Sequence, residues 1–254
     1  METETESVPA LRRAVRVLDY VSSAAKPPNA AEVTRALKLP KSSAHGLIGA
    51  MLDLHLLVRA DDGCLRPGPY LMRWANGFLA QLDIVSIFQS YFAENPGLAR
   101  YTVTLTVRDG AEVVYLSCRN SDQPLGVTFR IGMRLPATFT ATGKALLAEL
   151  EDETLENLLT PSFPAPLTSH SVRNIDMLRQ ELMQMRARGF SIDDGQVREG
   201  MICLGAVLRG HDGLAVAGIA LSLTRSEATP DMVAALGEEL REAATRLSRR
   251  FGAV

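Results

Sequence analysis

Between residues 41 and 53, apolar side chains recur every three or four positions along the chain. This period places them on one face of a helix and leaves small or polar side chains on the other face. The apolar positions are Ala44, Leu47, Ile48, Met51 and Leu52, and the polar ones are Ser42, His45, Gly46, Gly49 and Asp53. Pro40 suits the first position of this helix, where its missing N–H would have no partner. Another helix, over residues 30–37, precedes it in the chain. We therefore predict two helices joined by a tight turn.

Two short extended runs, at residues 56–60 and 64–66, follow the helix of residues 41–53. They flank Asp61-Asp62-Gly63, and Asp and Gly are typical of tight hairpin turns. Helix, turn, helix and hairpin in this order predict a winged helix-turn-helix. In such a domain the second helix can enter the major groove while the hairpin lies along the DNA backbone. A small helical domain that binds another protein, or nothing, is the alternative.

The segment before this domain predicts a first helix, with Leu11, Val15, Leu18 and Val21 as its buried stripe. Three arginines lie away from that stripe: Arg12, Arg13 and Arg16. We expect them to contact phosphates, although a solvated basic face explains them equally well.

A helical pattern continues beyond the hairpin, and residues 71–82 form a candidate linker helix. Its stripe of Leu71, Trp74, Phe78 and Leu82 is too large for the small domain to bury. This pattern indicates a connecting helix that joins two copies of the chain, or one that packs against its own neighbours.

From Tyr101 onward, strands mix with helices. Hairpins are predicted at Asp109-Gly110 and at residues 211–213, another strand at 125–130, and a helix that ends at Gly189. Central antiparallel hairpins with amphipathic helices predict an α+β fold, a sheet covered by helices. The expected domains are residues 1–70, the linker at 71–82, and residues 83–254.

The charge distribution supports a nucleic-acid partner for the first domain. The net charge of the chain is −2, but residues 7–75 hold ten Lys or Arg against five Asp or Glu. Basic residues are therefore concentrated where contact with phosphates would need them. The three cysteines are widely spaced, as in a cytoplasmic protein with reduced thiols. We expect no signal peptide and no membrane span, because the start is acidic and no apolar run is long enough.

Catalytic and metal-binding motifs are missing from the sequence. The four histidines have no metal-ligand spacing, and there is no nucleophile elbow, P-loop or dinucleotide fingerprint. We therefore expect no metal, no cofactor and no enzymatic activity. An enzyme would have to rely on scattered carboxylates such as Asp193, Asp194 and Glu199.

One segment of the second half does indicate a ligand. Thr140-Ala141-Thr142-Gly143 leads into a helix, and the N–H groups at a helix start attract a carboxylate while small side chains allow it to approach. A simple threonine N-cap is the commoner meaning of such a segment.

Along nearly its whole length, the chain resembles the IclR family of transcriptional regulators. RRAVRVLDYV is similar to the first helix of the family, AEVTRALKLPKSSAHGLI to its helix-turn-helix, and GCLRPGPYLMRW to its wing and linker. VYLSC, GMRLPATFTATGKALLA and RGFSIDDGQVREGMICLGAVL follow in the order and spacing of the family.

The resemblance implies a winged helix-turn-helix and a GAF-like effector-binding domain, assembled as a homodimer or homotetramer. It implies that the chain binds double-stranded operator DNA and that a small organic acid or aromatic metabolite alters this binding. The implied DNA contacts are Lys41, Ser42, Ser43 and His45 on the recognition helix and Arg66 on the wing. The implied effector contacts are Ala141, Thr142, Asp193, Cys203 and Ser222.

Two positions depart from the family. Gly46 stands where an arginine is common, so a bidentate contact worth about 1–3 kcal/mol is missing. Ala220 stands where some members have a serine, so we expect a more apolar pocket.

The leading hypothesis is an effector-responsive transcriptional regulator. The alternatives are a metabolite-binding module that acts through protein partners, which the loss at Gly46 motivates, and an enzyme in the second domain. A redox sensor that uses Cys203 is a variant of the first hypothesis.

Overall fold

The computed structural model describes residues 8–80, 83–121 and 129–252. The chain divides into two compact units, Met1–Gln81 and Leu82–Val254. The acidic start of the chain lies outside the described residues, as does most of the strand expected at 125–130. Among the described helices, none has the length and apolar character that crossing a membrane requires.

The first unit is a winged helix-turn-helix, as predicted. Its hairpin turns through residues 60–64, and Val58 lies opposite Arg66. Its elements are the helices α1 (Pro9–Ser23), α2 (Ala30–Ala36), α3 (Lys41–Asp53) and α4 (Tyr70–Ala80) and the strands β1 (Leu57–Arg59) and β2 (Leu65–Pro67).

Local sequence explains where the helices of the motif begin. The Asn29 side chain accepts hydrogen bonds from the amides of Ala31 and Glu32, both at 3.0 Å, and the Glu32 carboxylate accepts one from the Asn29 amide at 2.8 Å. This reciprocal capping box starts α2. Pro40 is the N-cap of α3, one position earlier than expected. The predicted apolar face of α3 is confirmed, since Ala44, Ile48 and Met51 are buried.

The buried stripe predicted for α1 is partly wrong. Leu11 and Val15 are 64% and 49% exposed, whereas Val17 and Val21 are buried. Both sets of positions have helical spacing, so periodicity alone does not select between them. The face that α1 buries is decided by α3 and β2, against which it packs.

The second unit is built on one six-stranded antiparallel sheet with the order β5-β4-β3-β8-β7-β6. The two hairpins turn where the sequence predicted, and β3 pairs with β8 to join them. The strands are β3 (Thr102–Asp109), β4 (Glu112–Arg119), β5 (Arg134–Pro136), β6 (Ser191–Asp194), β7 (Met201–Arg209) and β8 (Ala215–Thr224). The predicted α+β class is confirmed.

Among the described residues, six α-helices and one short 3-10 helix, Thr160–Ser162, accompany this sheet. Helix α7 packs against β6, β7 and β8, while α10 packs against β7. Gly189 ends α9 in the left-handed conformation with φ of 84°, as predicted. The helices are α5 (Asp83–Glu94), α6 (Pro96–Ala99), α7 (Ala141–Leu147), α8 (Asp152–Leu159), α9 (Ile175–Arg188) and α10 (Pro230–Arg250).

The first turn of α7 lies directly on the strand backbone. A Cβ atom at Gly205 of β7 would come within 2.5 Å of the Ala141 carbonyl group and of the Ser191 hydroxyl, and one at Gly218 of β8 within 2.9 Å of the Thr142 side chain. The Ser191 hydroxyl donates a hydrogen bond to the Ala141 carbonyl at 2.5 Å. Glycine at these strand positions therefore permits the close contact between helix and sheet.

We expect Gly205→Ala to lower the free energy of unfolding of the second unit by about 2 kcal/mol or more, because the new methyl group meets backbone atoms that cannot rotate away. The matched control is Gly97→Ala, whose Cβ would meet only the flexible end of Glu239 at 3.4 Å. Scanning calorimetry of the full chain should find a lower midpoint for the first variant and little change for the second. Equal midpoints would contradict the close-contact argument.

Candidate DNA-contacting surface and ligand cavity

The outward face of α3 carries the candidate DNA contacts. Lys41, Ser42, Ser43 and His45 are all exposed there. They are held outward because the opposite face of the helix is anchored in the core of the unit. Their role in DNA binding stays a prediction.

Beside this face runs an open groove of about 880 Å³. Its charged lining is entirely basic and consists of Arg35, Lys38, Lys41 and Arg59. Sequence analysis did not select Arg35, Lys38 or Arg59 individually. Their signal was the excess of basic residues in this part of the chain, and only the fold brings them to one groove.

The other candidate contacts lie elsewhere on the unit. Arg12 and Arg13 border a second groove of about 770 Å³, beside the turn between α2 and α3. Arg66 is exposed on β2, with a guanidinium nitrogen 4.0 Å from the Asp62 carboxylate. Lys38 borders both grooves, so the two sets of basic side chains adjoin at that residue.

Gly46 lies exposed on the outward face of α3, and a Cβ atom there would meet nothing within 4 Å. No packing within the unit therefore requires glycine at this position. Its effect must be on what the helix binds and on helix stability, since glycine costs about 1 kcal/mol relative to alanine.

In the second unit, the five candidate effector residues come together at one buried cavity. Ala141 and Thr142 are the first two residues of α7, while Asp193, Cys203 and Ser222 lie on three neighbouring strands. The strand register explains the second group, because Asp193 lies opposite Cys203 and Cys203 lies opposite Ser222. Residues far apart in sequence thus form one row across the sheet, with α7 beside it.

Other side chains complete the lining. Ala220, expected to make the site more apolar, lines the cavity, and so does Phe129. The rings of Phe129 and Tyr115 are stacked, with centroids 5.1 Å apart. Sequence analysis missed four lining residues, since strand periodicity predicts burial but not which cavity a buried residue reaches: Thr104, Tyr115, Val197 and Met201.

Most polar groups in the cavity are already paired. The Thr140 hydroxyl accepts a hydrogen bond from the Gly143 amide at 3.1 Å, which is the threonine N-cap considered above. The Cys203 sulfur and the Ser222 hydroxyl are 3.1 Å apart. The Asp193 Oδ1 atom accepts hydrogen bonds from the amides of Gln196 at 2.6 Å and Val197 at 3.3 Å.

Two buried polar atoms of the lining lack a hydrogen-bond partner among the residues the structure describes. They are the Oδ2 atom of Asp193 and the Oγ1 atom of Thr142. Leaving a buried polar atom unpaired costs about 1–3 kcal/mol, so such atoms are rare in folded proteins. A polar ligand in this cavity could pair with both atoms.

The cavity itself is nearly filled by its lining side chains, with a volume of about 10 Å³. That is room for about one water molecule. Any metabolite would therefore have to move lining side chains outward, and the stacked pair of Tyr115 and Phe129 forms part of that lining.

Burial also changes the acid–base behaviour of the site. It raises the pKa of Asp193 from 3.8 to about 6, while the positive charge of Lys144 and the two amide hydrogen bonds oppose the rise. Burial raises the pKa of the Cys203 thiol as well, so the thiol stays protonated. A buried neutral thiol is a poor nucleophile, which disfavours a redox sensor at Cys203. Within the described ranges, no group of His, Cys, Asp and Glu side chains could hold a metal ion.

Two family profiles match the chain. The profile described as "Bacterial transcriptional regulator IclR C-terminal" matches residues 76–249. The profile described as "IclR helix-turn-helix domain" matches residues 10–61. Together they cover the two parts of the chain to which the sequence assigned separate roles.

Individual relatives agree with the profiles. The chain is 58% identical to the repressor BlcR of Agobacterium tumefaciens, whose crystal structure it matches with a TM-score of 0.66 over 98% of this chain and 100% of that one. The regulator XynR of Escherichia coli is 26% identical over 247 residues, 96% of this chain and 98% of XynR. An IclR homologue of Microbacterium hydrocarbonoxydans, crystallised with 4-hydroxybenzoate, is 24% identical and matches with a TM-score of 0.82 over 95% and 98% of the two chains, which supports the fold.

The raised pKa of Asp193 predicts how stability depends on pH. Ionisation is harder in the folded protein than in the unfolded chain, so the wild type loses stability as the pH rises from 3.8 through about 6. At higher pH the loss amounts to at most about 3 kcal/mol. Asp193→Asn keeps an acceptor for the loop amides but cannot ionise, so its unfolding midpoint should rise relative to the wild type between pH 5 and pH 7.5.

Calorimetry at the two pH values measures this difference. The exposed neighbour Asp194, which pairs with Arg225, provides the control Asp194→Asn, for which we expect no such gain. A pH-independent difference between Asp193→Asn and the wild type would contradict the prediction.

Proposed function

The chain belongs to the IclR family of bacterial transcriptional regulators, and we propose that it is a repressor whose operator binding is modulated by a metabolite in its second domain. The proposed ligand is a small organic acid or an aromatic metabolite. Repression is inferred from the 58% identical repressor BlcR. Because relatives in this family are named regulators and repressors, no enzymatic activity is assigned.

The observation that carries the effector proposal is the pair of unpaired polar atoms in the cavity. Thr142 Oγ1 and Asp193 Oδ2 are buried beside apolar side chains, and no group of the described chain pairs with them. A small set of polar atoms converging in an apolar pocket is typical of a metabolite site. The expected contacts are Ala141, Thr142, Asp193, Cys203 and Ser222.

The DNA-binding proposal rests on the first unit. Its recognition helix presents small and polar side chains, and the charged residues that line the groove beside that helix are all basic. Small side chains allow close approach to the floor of the major groove, and the basic ones suit the phosphates on either side. Because the partner is chromosomal DNA, we propose that the protein acts in the bacterial cytoplasm.

Coupling between the two sites requires an assembly with at least two arrangements. We propose a homodimer or homotetramer in which α4 belongs to the linker of residues 71–82. Trp74 and Met72 on this helix are 55% and 61% exposed, as expected for side chains that a second copy would cover. Phe78 and Leu82 of the predicted stripe lie outside the side chains described. A metabolite changes DNA binding only by its different affinity for the two arrangements.

The partner-binding alternative, which Gly46 motivated, is not favoured. The match of the helix-turn-helix profile over residues 10–61 includes α3 with its glycine. We therefore treat Gly46 as a determinant of the operator sequence, and of affinity, within a DNA-binding domain.

Titration of the intergenic DNA upstream of the gene and of a scrambled duplex, by fluorescence anisotropy over a salt series, tests the proposal. We expect specific binding to exceed non-specific binding by about a thousandfold or more. Lys41→Ala should weaken binding and reduce the magnitude of the salt slope by about 1. Arg173→Ala removes one exposed charge from the second unit and is the matched control. Equal weak binding to both duplexes, with and without added metabolites, would revive the partner-binding alternative.

A second prediction concerns the cavity. Once the anisotropy assay has found a metabolite that changes DNA binding, Asp193→Ala should weaken the binding of that metabolite in a calorimetric titration, because the ligand loses a buried polar partner. Affinity for DNA in the absence of the metabolite should stay unchanged. Asp194→Ala, at the exposed neighbouring position, should leave both affinities as they are. Unchanged metabolite affinity in Asp193→Ala would remove Asp193 from the site.

A further inference from the structure

A charged pair lies immediately behind the cavity. Lys144 of α7 is 1% exposed, and its ammonium group donates a hydrogen bond to the Ile192 carbonyl at 3.0 Å. The same ammonium lies 2.5 Å from a carboxylate oxygen of Glu181 on α9. A fully buried lysine is unusual in a protein of this kind, because desolvating its charge is costly.

Hydrogen bonds connect this pair to Asp193. The other carboxylate oxygen of Glu181 accepts a hydrogen bond from the Gln196 side chain at 2.7 Å. The Gln196 amide in turn donates to Asp193 Oδ1 at 2.6 Å. Ile192, held by Lys144, is the residue before Asp193 on β6. The pair therefore reaches Asp193 by two routes, through the strand backbone and through Gln196.

We propose that Lys144 and Glu181 are positioning residues of the cavity, which fix the orientation of Asp193 and bias the ionisation of its carboxyl group in opposite directions. The structure satisfies Oδ1 with loop amides and leaves Oδ2 at the cavity. This inference rests on the proposed function of the cavity as the effector site. It assigns a role to two residues outside the lining of the cavity.

The ionisation state of Asp193 matters because it selects the chemistry of the ligand group beside it. An ionised carboxylate only accepts hydrogen bonds, so it takes a hydroxyl or N–H group of the ligand and repels a carboxylate. A protonated carboxyl group donates a hydrogen bond and can face a ligand carboxylate or carbonyl group. Lys144 favours the ionised form, and the negative charge of Glu181 opposes it.

The other titratable groups that face Asp193 are neutral. Burial raises the pKa of Tyr115 on β4 and that of Cys203 on β7, so both side chains stay protonated at neutral pH. Beyond burial and the two amide hydrogen bonds, the charges of Lys144 and Glu181 therefore bias the ionisation of Asp193. A purely structural ion pair is the competing explanation, although buried pairs seldom add much stability.

The two explanations differ in the sign of a measurable shift. We expect the pKa of Asp193, followed by carboxyl carbon NMR of the full chain with Asp193→Asn as the assignment control, to rise in Lys144→Met and to fall in Glu181→Gln. Glutamine at 181 can still accept the hydrogen bond from Gln196, but its NH2 group then faces the Lys144 ammonium, so this variant removes the charge and the ion pair together. If the pair acted only by holding the helix and strand together, with its charges screened from Asp193, neither substitution would shift the pKa.

Glu156→Gln is the control. Glu156 of α8 pairs with Arg179 of α9 at 2.8 Å, and its side chain is 57% exposed, so the pKa of Asp193 should not change. Opposite shifts in the two test variants support the proposal, and shifts in the same direction, or none, overturn it. If Lys144→Met does not fold, Glu181→Gln decides alone by a fall or its absence. Because no effector is added, failure to find an effector leaves this test intact.

Discussion

The second domain depends on the contact between the first turn of α7 and the backbone of β7 and β8. Gly205 and Gly218 leave no side chain between the helix and the strands. The Ser191 hydroxyl donates a hydrogen bond to the carbonyl of Ala141, the first residue of the helix. One methyl group added at either glycine would push α7 away from the sheet. The whole cavity follows from this approach, because α7 supplies one wall while the strands supply the row of polar side chains opposite it.

The same close packing buries polar atoms of the site without giving all of them a hydrogen-bond partner. Asp193 and Thr142 lose contact with water when α7 closes over the sheet, and each retains a polar atom that the described chain does not satisfy. A domain selected for stability alone would put apolar side chains at these positions. Polar atoms kept unpaired in a nearly filled cavity fit a site that completes its hydrogen bonds with a ligand. The volume of the cavity also means that ligand binding and movement of its lining are one event.

The first domain follows a simpler physical rule. Its recognition helix is held by a few buried side chains, among them Ala44, Ile48 and Met51. The residues on the opposite face are exposed: Lys41, Ser42, Ser43 and His45. Gly46 is exposed, and a side chain there would meet nothing within 4 Å, so packing within the domain does not explain the glycine. The two domains thus separate their roles, with an exposed and polar surface in one and a buried and polar cavity in the other.

Local periodicity determined what depends on neighbours in sequence. The faces of α3, the hairpin turns at Asp-Gly and the end of α9 at Gly189 were all predicted, because three to ten consecutive residues specify them. Family resemblance, and not periodicity, selected Asp193, Cys203 and Ser222, and strand register gives the physical reason why they meet.

Only the tertiary structure decided what depends on distant partners. The buried face of α1 was mistaken because two helical stripes fit the same spacing, and the choice belongs to α3 and β2. Tyr115 and Met201 look like ordinary strand residues until the sheet brings them to one cavity. Lys144 and Glu181 meet although they are far apart in the chain and lie on different helices. No local pattern records such a pairing, since it depends on the burial of Lys144 beside a carboxylate from a distant part of the chain.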